Sequence, residues 1–232
     1  MNESVTAVIP IKRLGNVKRR LTTRLRSHER AALVLRLFDR QMKTLIAMPE
    51  VERVVVVTAD TRVKALAEMR GAVVALQPDR GVNAAIQAGI DEAFGAGAIK
   101  VLAIHGDLPF AEAPDIRKLI GASAPGVFVM APDRRKRGTN AIVLRRGMAL
   151  KLQFGANSCQ RFLAASELGG FPVRQVSTDG LGFDLDLPVD LLVYRARLTA
   201  SDRIPVDAAG EARVLTMLER PHHVPGKQLD ER

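Results

Sequence analysis

The chain has 232 residues, of which 47% are hydrophobic and 26% charged, enough for the core of one globular α/β domain but not for a second catalytic domain. Lysine and arginine outnumber aspartate and glutamate by 35 to 25, giving a net charge of +10, and such a field attracts nucleotides, phosphorylated acids and nucleic acids. Aromatic residues make up only 4%, which leaves few platforms on which single-stranded bases can stack.

Cysteine content and hydropathy predict a soluble, cytoplasmic protein. A single cysteine, Cys159, allows neither an internal disulfide nor a cysteine-rich zinc site, which suits a reducing compartment. No apolar run reaches the length of a membrane span, and the N-terminus leads into a strand-like segment instead of a signal peptide.

Short runs rich in Val and Ile alternate with stretches of helical spacing, which predicts a doubly wound, mostly parallel α/β sheet in a single domain. The predicted strands are residues 5–11, 51–58, 72–76, 100–104, 126–131 and 141–144.

The intervening helices carry recognisable end signals. Ser27 is expected to cap the first helix, with Arg30 in place of the acid that a capping box requires. Asp60 is expected to cap the second, which ends at Gly71 in a left-handed conformation. An alanine-rich third helix follows residues 81–83 and stops at the glycines of 95–97.

After residue 132 the regular alternation breaks. A basic turn at 133–140 precedes a hairpin or an irregular excursion, a helix at about 157–168, a strand at 173–176 and a helix at 189–197. We assign residues 1–200 to one domain, and residues 201–232 to a C-terminal helix at 207–219 followed by a loose polar tail.

The loop after the first strand is rich in cations. Between Pro10 and Leu21 it carries Lys12, Lys18, Arg20 and two further arginines, which can neutralise phosphates while the backbone wraps around them. The loop matches neither a Walker A sequence nor a dinucleotide-binding glycine turn. Taken alone, this loop is equally consistent with phosphate binding and with a solvated basic loop.

Three carboxylates lie in two acidic segments of the chain. Asp107 comes directly after the strand at 100–104, and Asp184 and Asp186 alternate so that both face the same way when extended. If both segments end at one rim of the sheet, the three carboxylates converge as hard oxygen ligands for Mg²⁺. The alternatives are a helix cap for Asp107 and simple turn carboxylates for the other two.

Two turns place a hydroxyl beside a glycine. Thr139 follows Gly138, and Ser158 lies three residues after Gly155; such turns bind phosphate or carboxylate, although alone they are more often helix caps. The four histidines, His28, His105, His222 and His223, show no metal-ligand spacing. Cys159 is interpreted as a packed core residue.

An ordered set of short motifs across about residues 5 to 195 resembles the 2-phospholactate/phosphoenolpyruvate guanylyltransferases of deazaflavin coenzyme biosynthesis, within the molybdopterin-type nucleotidyltransferases. The motifs are Pro10-Ile-Lys12-Arg-Leu, Lys18-Arg-Arg20-Leu, Glu29-Arg30, Asp79-Arg-Gly-Val-Asn83-Ala, Gly-Asp107-Leu-Pro, Ala-Pro-Asp133, Gly138-Thr139-Asn140, Phe154-Gly155-Ala-Asn-Ser158 and Asp184-Leu-Asp186-Leu-Pro-Val-Asp190-Leu. The resemblance implies a GT-A-like nucleotidyltransferase fold and a homodimer.

The resemblance also implies a reaction, in which a phosphorylated three-carbon acid attacks the α-phosphate of GTP and expels pyrophosphate. If the roles of the family's residues are carried over by position, Asp107, Asp184 and Asp186 would hold Mg²⁺. The acid would be bound by Thr139, Gly155 and Ser158. Catalytic phosphate contacts would come from Lys12, Lys18 and Arg20, and the nucleotide would lie against Pro10, Lys12, Asp79 and Asn83.

Two positions depart from the family pattern, Phe162 where a histidine is common and Leu187 where a threonine is usual. They leave open whether the acid is phosphoenolpyruvate, 2-phospholactate or 3-phosphoglycerate, which a few pocket residues can distinguish. A related nucleotidyltransferase with another acceptor and a basic nucleic-acid-binding protein remain the alternatives. The three carboxylates disfavour the nucleic-acid-binding protein, because they would repel the phosphates of a nucleic-acid strand.

Overall fold

One sheet organises the computed structural model, which describes residues 3–198. Its seven strands are β1 (Val5–Ile11), β2 (Val51–Thr58), β3 (Val73–Leu76), β4 (Lys100–Ile104), β5 (Phe128–Pro132), β6 (Thr139–Arg145) and β7 (Val173–Gln175), in the order β3-β2-β1-β4-β6-β5-β7. Within that range β6 alone runs antiparallel to its neighbours. The start of β6 therefore lies at the same edge as the carboxyl ends of the other strands.

Helices cover both faces of this sheet. They are α1 (Ser27–Ile46), α2 (Thr61–Met69), α3 (Val82–Gly95), α4 (Ala113–Gly121), α5 (Ser158–Gly169), α6 (Asp179–Gly182) and α7 (Pro188–Arg197), with two 3₁₀ turns at Leu14–Asn16 and Arg19–Leu21. The predicted doubly wound, mostly parallel sheet is confirmed. Between residues 3 and 198, every helix is too short or too polar to serve as a membrane span.

The hydrophobic core has two layers because the central strands are buried on both faces. One layer packs Ile9 with Phe38 of α1, and the other packs Val8 with Ile86 of α3. Helix α3 lies so close that a Cβ on Gly89 would come within 2.3 Å of Val8 Cγ1. The strands are therefore held rigidly, and the loops at their carboxyl ends are built on a fixed base.

A third, smaller cluster joins distant parts of the chain. Leu21 at the end of the basic loop and Leu25 just after it pack with Leu185, Leu191 and Tyr194 around helix α7. Burying these side chains together contributes on the order of 1.5–3 kcal/mol for each large aliphatic residue. The cluster thereby draws the basic loop and the loop before α7 toward each other.

The predicted cap of α1 was wrong, whereas the predicted cap of α2 is confirmed. Arg26 caps α1, and the carboxylate of Glu29 accepts the Arg26 backbone N–H at 2.6 Å. Asp60 accepts the Arg62 N–H at 3.0 Å, and Gly71 has the expected positive φ of 80°. The predicted C-terminal helix and polar tail lie outside the described residues.

Candidate active site

A cleft of about 810 Å³ opens at the carboxyl edge of the sheet. Every site residue predicted from the sequence lines it except Asn83; these are Pro10, Lys12, Lys18, Arg20, Asp79, Asp107, Thr139, Gly155, Ser158, Asp184 and Asp186. The cleft lies where open α/β sheets bind their ligands. Residues from six separate segments of the chain thus share one cavity.

Asn83 has a different position. Its amide Nδ2 donates to the Phe154 carbonyl at 3.1 Å, and its Oδ1 accepts the Phe154 N–H at 2.8 Å. Both ends of the amide are therefore engaged with the loop that precedes Gly155. This arrangement anchors that loop to helix α3 and gives no support to a direct contact with a nucleotide.

Lys18 sits at the centre of the acidic residues. Its Nζ lies 2.5 Å from Asp107 Oδ2 and 2.7 Å from Asp186 Oδ1, and its side chain is only 7% exposed. Burial opposes the charge, but the two carboxylates outweigh it and raise the pKa of Lys18. The residue adopts a left-handed backbone with a φ of 49°, which costs on the order of 1 kcal/mol for a non-glycine residue. The surrounding contacts hold it in place.

Asp107 and Asp184 respond differently to the same surroundings. Burial works against ionisation of Asp107, but the Lys18 ammonium prevails and holds its pKa below the ordinary value. Burial raises the pKa of Asp184 to about 6, and the neighbouring charges of Asp107 and Asp186 add to that rise. Asp184 thus belongs electrostatically to the same acidic group, although it makes no ion pair with Lys18.

The two acidic segments are tied directly to each other. The Leu185 N–H donates to the Asp107 carbonyl at 3.2 Å. The buried carboxylate of Asp190 accepts the Asp186 N–H at 3.0 Å and the Leu187 N–H at 2.6 Å, and it also pairs with Arg134. These contacts fix the backbone that carries Asp184 and Asp186. Because Asp190 caps helix α7, the Asp186 carboxylate can face Lys18 in the cleft.

The basic loop is held from below by helix α1. The buried guanidinium of Arg30 donates from Nε to the Val17 carbonyl at 3.1 Å and from Nη1 to the Leu25 carbonyl at 3.0 Å. These bonds satisfy the carbonyl directly before Lys18 and a second carbonyl just before α1, and they tie this stretch of backbone to the helix. By contrast, Lys12 is exposed and Arg20, 73% exposed, lies 3.8 Å from Asp186. Both are available to phosphates.

Across the cleft, two buried hydroxyls have no partner. The side-chain oxygens of Thr139 and Ser158 are both buried and make no hydrogen bond, so neither acts as the helix cap that the sequence allowed. Gly155 has a φ of 115° and Asn157 a φ of 55°, which bends the backbone around this end of the cleft. An unpaired buried hydroxyl costs about 1–3 kcal/mol, so both hydroxyls are suited to a ligand.

The donor chemistry at Asp107 and Asp186 suits a hard cation. Asp107 Oδ1 is buried without a partner, and the other oxygen of Asp107 shares one cation with Asp186. Within residues 3–198, however, no three carboxylate, imidazole or thiol groups lie together as a ready-made metal site. Lys18 bridges the carboxylates in their place, so the predicted Mg²⁺ site stays a prediction.

Sequence reasoning named Arg30 and Asp190 within motifs but missed that they support the site. Asp190 carried a signal, since an acid at the third position of a helix commonly accepts the N–H groups before it. Arg30 carried none, because a buried arginine that binds backbone carbonyls has no local pattern. His105 was set aside for lack of metal-ligand spacing, yet its ring lines the cleft and burial lowers its pKa.

The known proteins that this chain is similar to are guanylyl transferases and nucleotidyl transferases. Residues 5–192 match the family model described as guanylyl transferase, CofC-like. The phosphoenolpyruvate guanylyltransferase of Sphaerobacter thermophilus is 40% identical over 185 residues, 80% of this chain and 89% of that protein. That of Chloroflexus aggregans is 39% identical over 186 residues, 77% and 90% of the two chains. A nucleotidyl transferase structure from Methanothermobacter thermautotroptrophicus shares the fold, with a TM-score of 0.63, 15% identity, and coverage of 83% of this chain and 96% of that one.

Proposed function

This chain belongs to the CofC-like guanylyl transferase family, and from that membership we propose that it transfers GMP from GTP to phosphoenolpyruvate with release of pyrophosphate. The observation that carries the proposal is the family match over residues 5–192, which spans every segment of the cleft. The names of the similar proteins favour phosphoenolpyruvate over 2-phospholactate and 3-phosphoglycerate. By extension, the reaction would serve deazaflavin coenzyme biosynthesis in the cytoplasm.

The nucleotide half of the site neutralises the triphosphate. Lys12 and Arg20 are exposed at the mouth of the cleft, and Lys18 lies at its floor between two carboxylates. We assign these cations to the phosphates of GTP, and Pro10 and Asp79 to the side of the cleft that faces the nucleoside. Fixed cations around a transferring phosphoryl group stabilise the charge that spreads over its oxygens in the transition state.

Mg²⁺ is the metal we assign to the acidic residues, with Asp107 and Asp186 as ligands and Asp184 completing the set. When bound, the ion would supply Lewis-acid stabilisation of charge on the phosphate oxygens. The Lys18 ammonium occupies the same two carboxylates, so it would shift toward the phosphates when the ion is held.

The acceptor half of the site orients the acid. We assign the hydroxyls of Thr139 and Ser158 and the turn at Gly155 to the carboxylate and phosphate of the acceptor. Binding satisfies two hydroxyls that are otherwise buried without partners. Holding the acceptor phosphate in line with the α-phosphate of GTP accounts for catalysis by positioning, and no covalent intermediate with the protein is needed.

Pyrophosphate release tests the proposal. The protein is supplied with Mg²⁺ and GTP, ATP or CTP, each combined with phosphoenolpyruvate, 2-phospholactate or 3-phosphoglycerate. We expect release only with GTP, and fastest with phosphoenolpyruvate. Release with another nucleotide would indicate a related nucleotidyltransferase, and no release with any combination would contradict the proposal. Gel filtration of the same preparation tests the homodimer that the sequence resemblance implies.

A further inference from the structure

His105 follows directly after β4 and two residues before Asp107, where it lines the cleft. Its Nε2 atom is buried and makes no hydrogen bond within the described chain. Among the buried side-chain atoms without partners, Thr139 Oγ1, Ser158 Oγ and Asp107 Oδ1 line the same cleft. Native proteins leave few buried polar atoms unpaired, so a group of four around one cavity indicates a polar ligand.

The imidazole is held rigidly on the acceptor side. The His105 backbone N–H donates to the Asn140 carbonyl at 2.9 Å, which places it beside the start of β6 and next to Thr139. Its ring lies 5.2 Å from that of Phe154, centroid to centroid, and Phe154 directly precedes Gly155. The contacts of His105 therefore come from the two segments assigned to the acid, while its own strand leads to Asp107.

The chemistry of the ring matches an anionic ligand. Phosphate and carboxylate oxygens only accept hydrogen bonds, so they select the imidazole tautomer that carries its proton on Nε2. A neutral donor binds the anion without adding a further cation beside Lys18. It also complements the two hydroxyls, which can rotate to donate in the same direction.

We propose that His105 contacts the phosphorylated acid directly, donating a hydrogen bond from Nε2 beside Thr139 and Ser158, and that it contributes to the selection of this acceptor. The inference rests on the proposed function for the identity of the ligand. It makes His105 a substrate-binding residue in addition to its packing against Phe154.

Three substitutions separate hydrogen bonding from packing. His105→Phe keeps an aromatic ring against Phe154 but deletes both nitrogens. His105→Gln places an amide N–H near the position of Nε2, whereas His105→Asn reaches only the position of Nδ1. His28→Phe is the matched control, because His28 is exposed on α1 and is not among the residues that line the cleft.

Two measurements are made on each variant. The first is KM for phosphoenolpyruvate and for GTP in the pyrophosphate assay. The second is equilibrium binding of phosphoenolpyruvate by calorimetry, with Mg²⁺ and a GTP analogue whose α,β-bridging oxygen is replaced by methylene. We expect His105→Phe and His105→Asn to weaken binding of the acid about 10- to 100-fold while KM for GTP stays within about twofold. His105→Gln should recover much of the loss, and His28→Phe should match the wild type.

Other outcomes would overturn the inference. Equal binding of phosphoenolpyruvate by the wild type and His105→Phe would limit His105 to packing, and so would a parallel rise of both KM values. If the Phe variant fails to fold, the Gln and Asn variants decide, since equal binding by these two contradicts the assigned donor. A wild type that binds the acid but does not react would reject the proposed function alone. A wild type that binds none of the three acids would reject the inference as well.

Discussion

Replacing Lys18 by methionine removes the buried ammonium that joins Asp107 to Asp186. The change keeps most of the length of the side chain but leaves two carboxylates facing each other at the floor of the cleft. Removing one partner of a buried ion pair costs roughly 3–5 kcal/mol. Because the Asp107 and Asp186 side chains are 26% and 41% exposed, solvent screens part of this loss, and we expect about 2 kcal/mol less stability.

Urea denaturation in the presence of EDTA measures the loss, with Lys12→Met as the control. Lys12 is exposed, so its substitution should change stability by less than about 0.5 kcal/mol. The Lys18 contribution also depends on pH. The pKa of Asp107 in the folded protein lies below its ordinary value. The ion pair with Lys18 therefore contributes fully to the free energy of unfolding at pH values above that ordinary value of about 3.9. The contribution is lost as the pH falls through the folded-state pKa. The difference between wild type and Lys18→Met should therefore narrow in acid.

Mg²⁺ extends the same experiment. If the ion and the Lys18 ammonium compete for the same carboxylates, Mg²⁺ should raise the melting temperature of Lys18→Met more than that of the wild type. A variant as stable as the wild type in EDTA would refute the argument that Lys18 neutralises this site. Equal stabilisation of both proteins by Mg²⁺ would refute the shared ligands.

The remaining predictions concern Asp184, the support that Asp190 gives to Asp186, and the binding of the two substrates. Asp184→Asn should stabilise the metal-free protein by about 1–2 kcal/mol at pH 8, because the folded-state pKa of about 6 penalises ionisation there. Thermal unfolding in EDTA should show this gain vanish below the ordinary aspartate pKa, and turnover should be lost. Asp190→Asn should destabilise the fold by about 2–4 kcal/mol and raise the Mg²⁺ concentration needed for half-maximal rate. If stability and Mg²⁺ requirement were both unchanged, Asp190 would not support Asp186. In steady-state kinetics Ser158→Ala should raise KM for the acid and Lys12→Ala KM for GTP, and the reverse pattern would exchange the two halves of the site.

The sheet could be predicted almost completely because its strands are continuous apolar runs buried on both faces. Residues 5–11, 51–58 and 100–104 were predicted with the boundaries observed. Asp107 lines the cleft as its position after β4 predicted, and Asp184 and Asp186 line the same cleft although they follow helix α6 and not a strand. What the sequence could not show was the Lys18 ammonium between two of these carboxylates. That contact joins positions 168 residues apart, and it depends on tertiary packing of Leu21 against Leu185.

The second limit of prediction from the sequence lay in polar side chains that bind the backbone of the protein itself. The pairing of Asn83 with Phe154 and of Arg30 with two carbonyls uses groups whose chemistry also suits phosphate or base recognition. Sequence gives the residue type, but burial and partner decide whether the group faces a ligand or the chain itself.

The fate of the α-phosphate of GTP shows directly whether this protein is a guanylyltransferase. GTP labelled at the α-phosphate is incubated with Mg²⁺ and phosphoenolpyruvate, with GTP labelled at the γ-phosphate as the parallel arm. We expect the α-label in a guanylylated acid, the γ-label in pyrophosphate, and neither product from the Asp184→Asn/Asp186→Asn double variant. Normal turnover in that variant, or α-label recovered only in GDP or GMP, would contradict guanylyl transfer at this site.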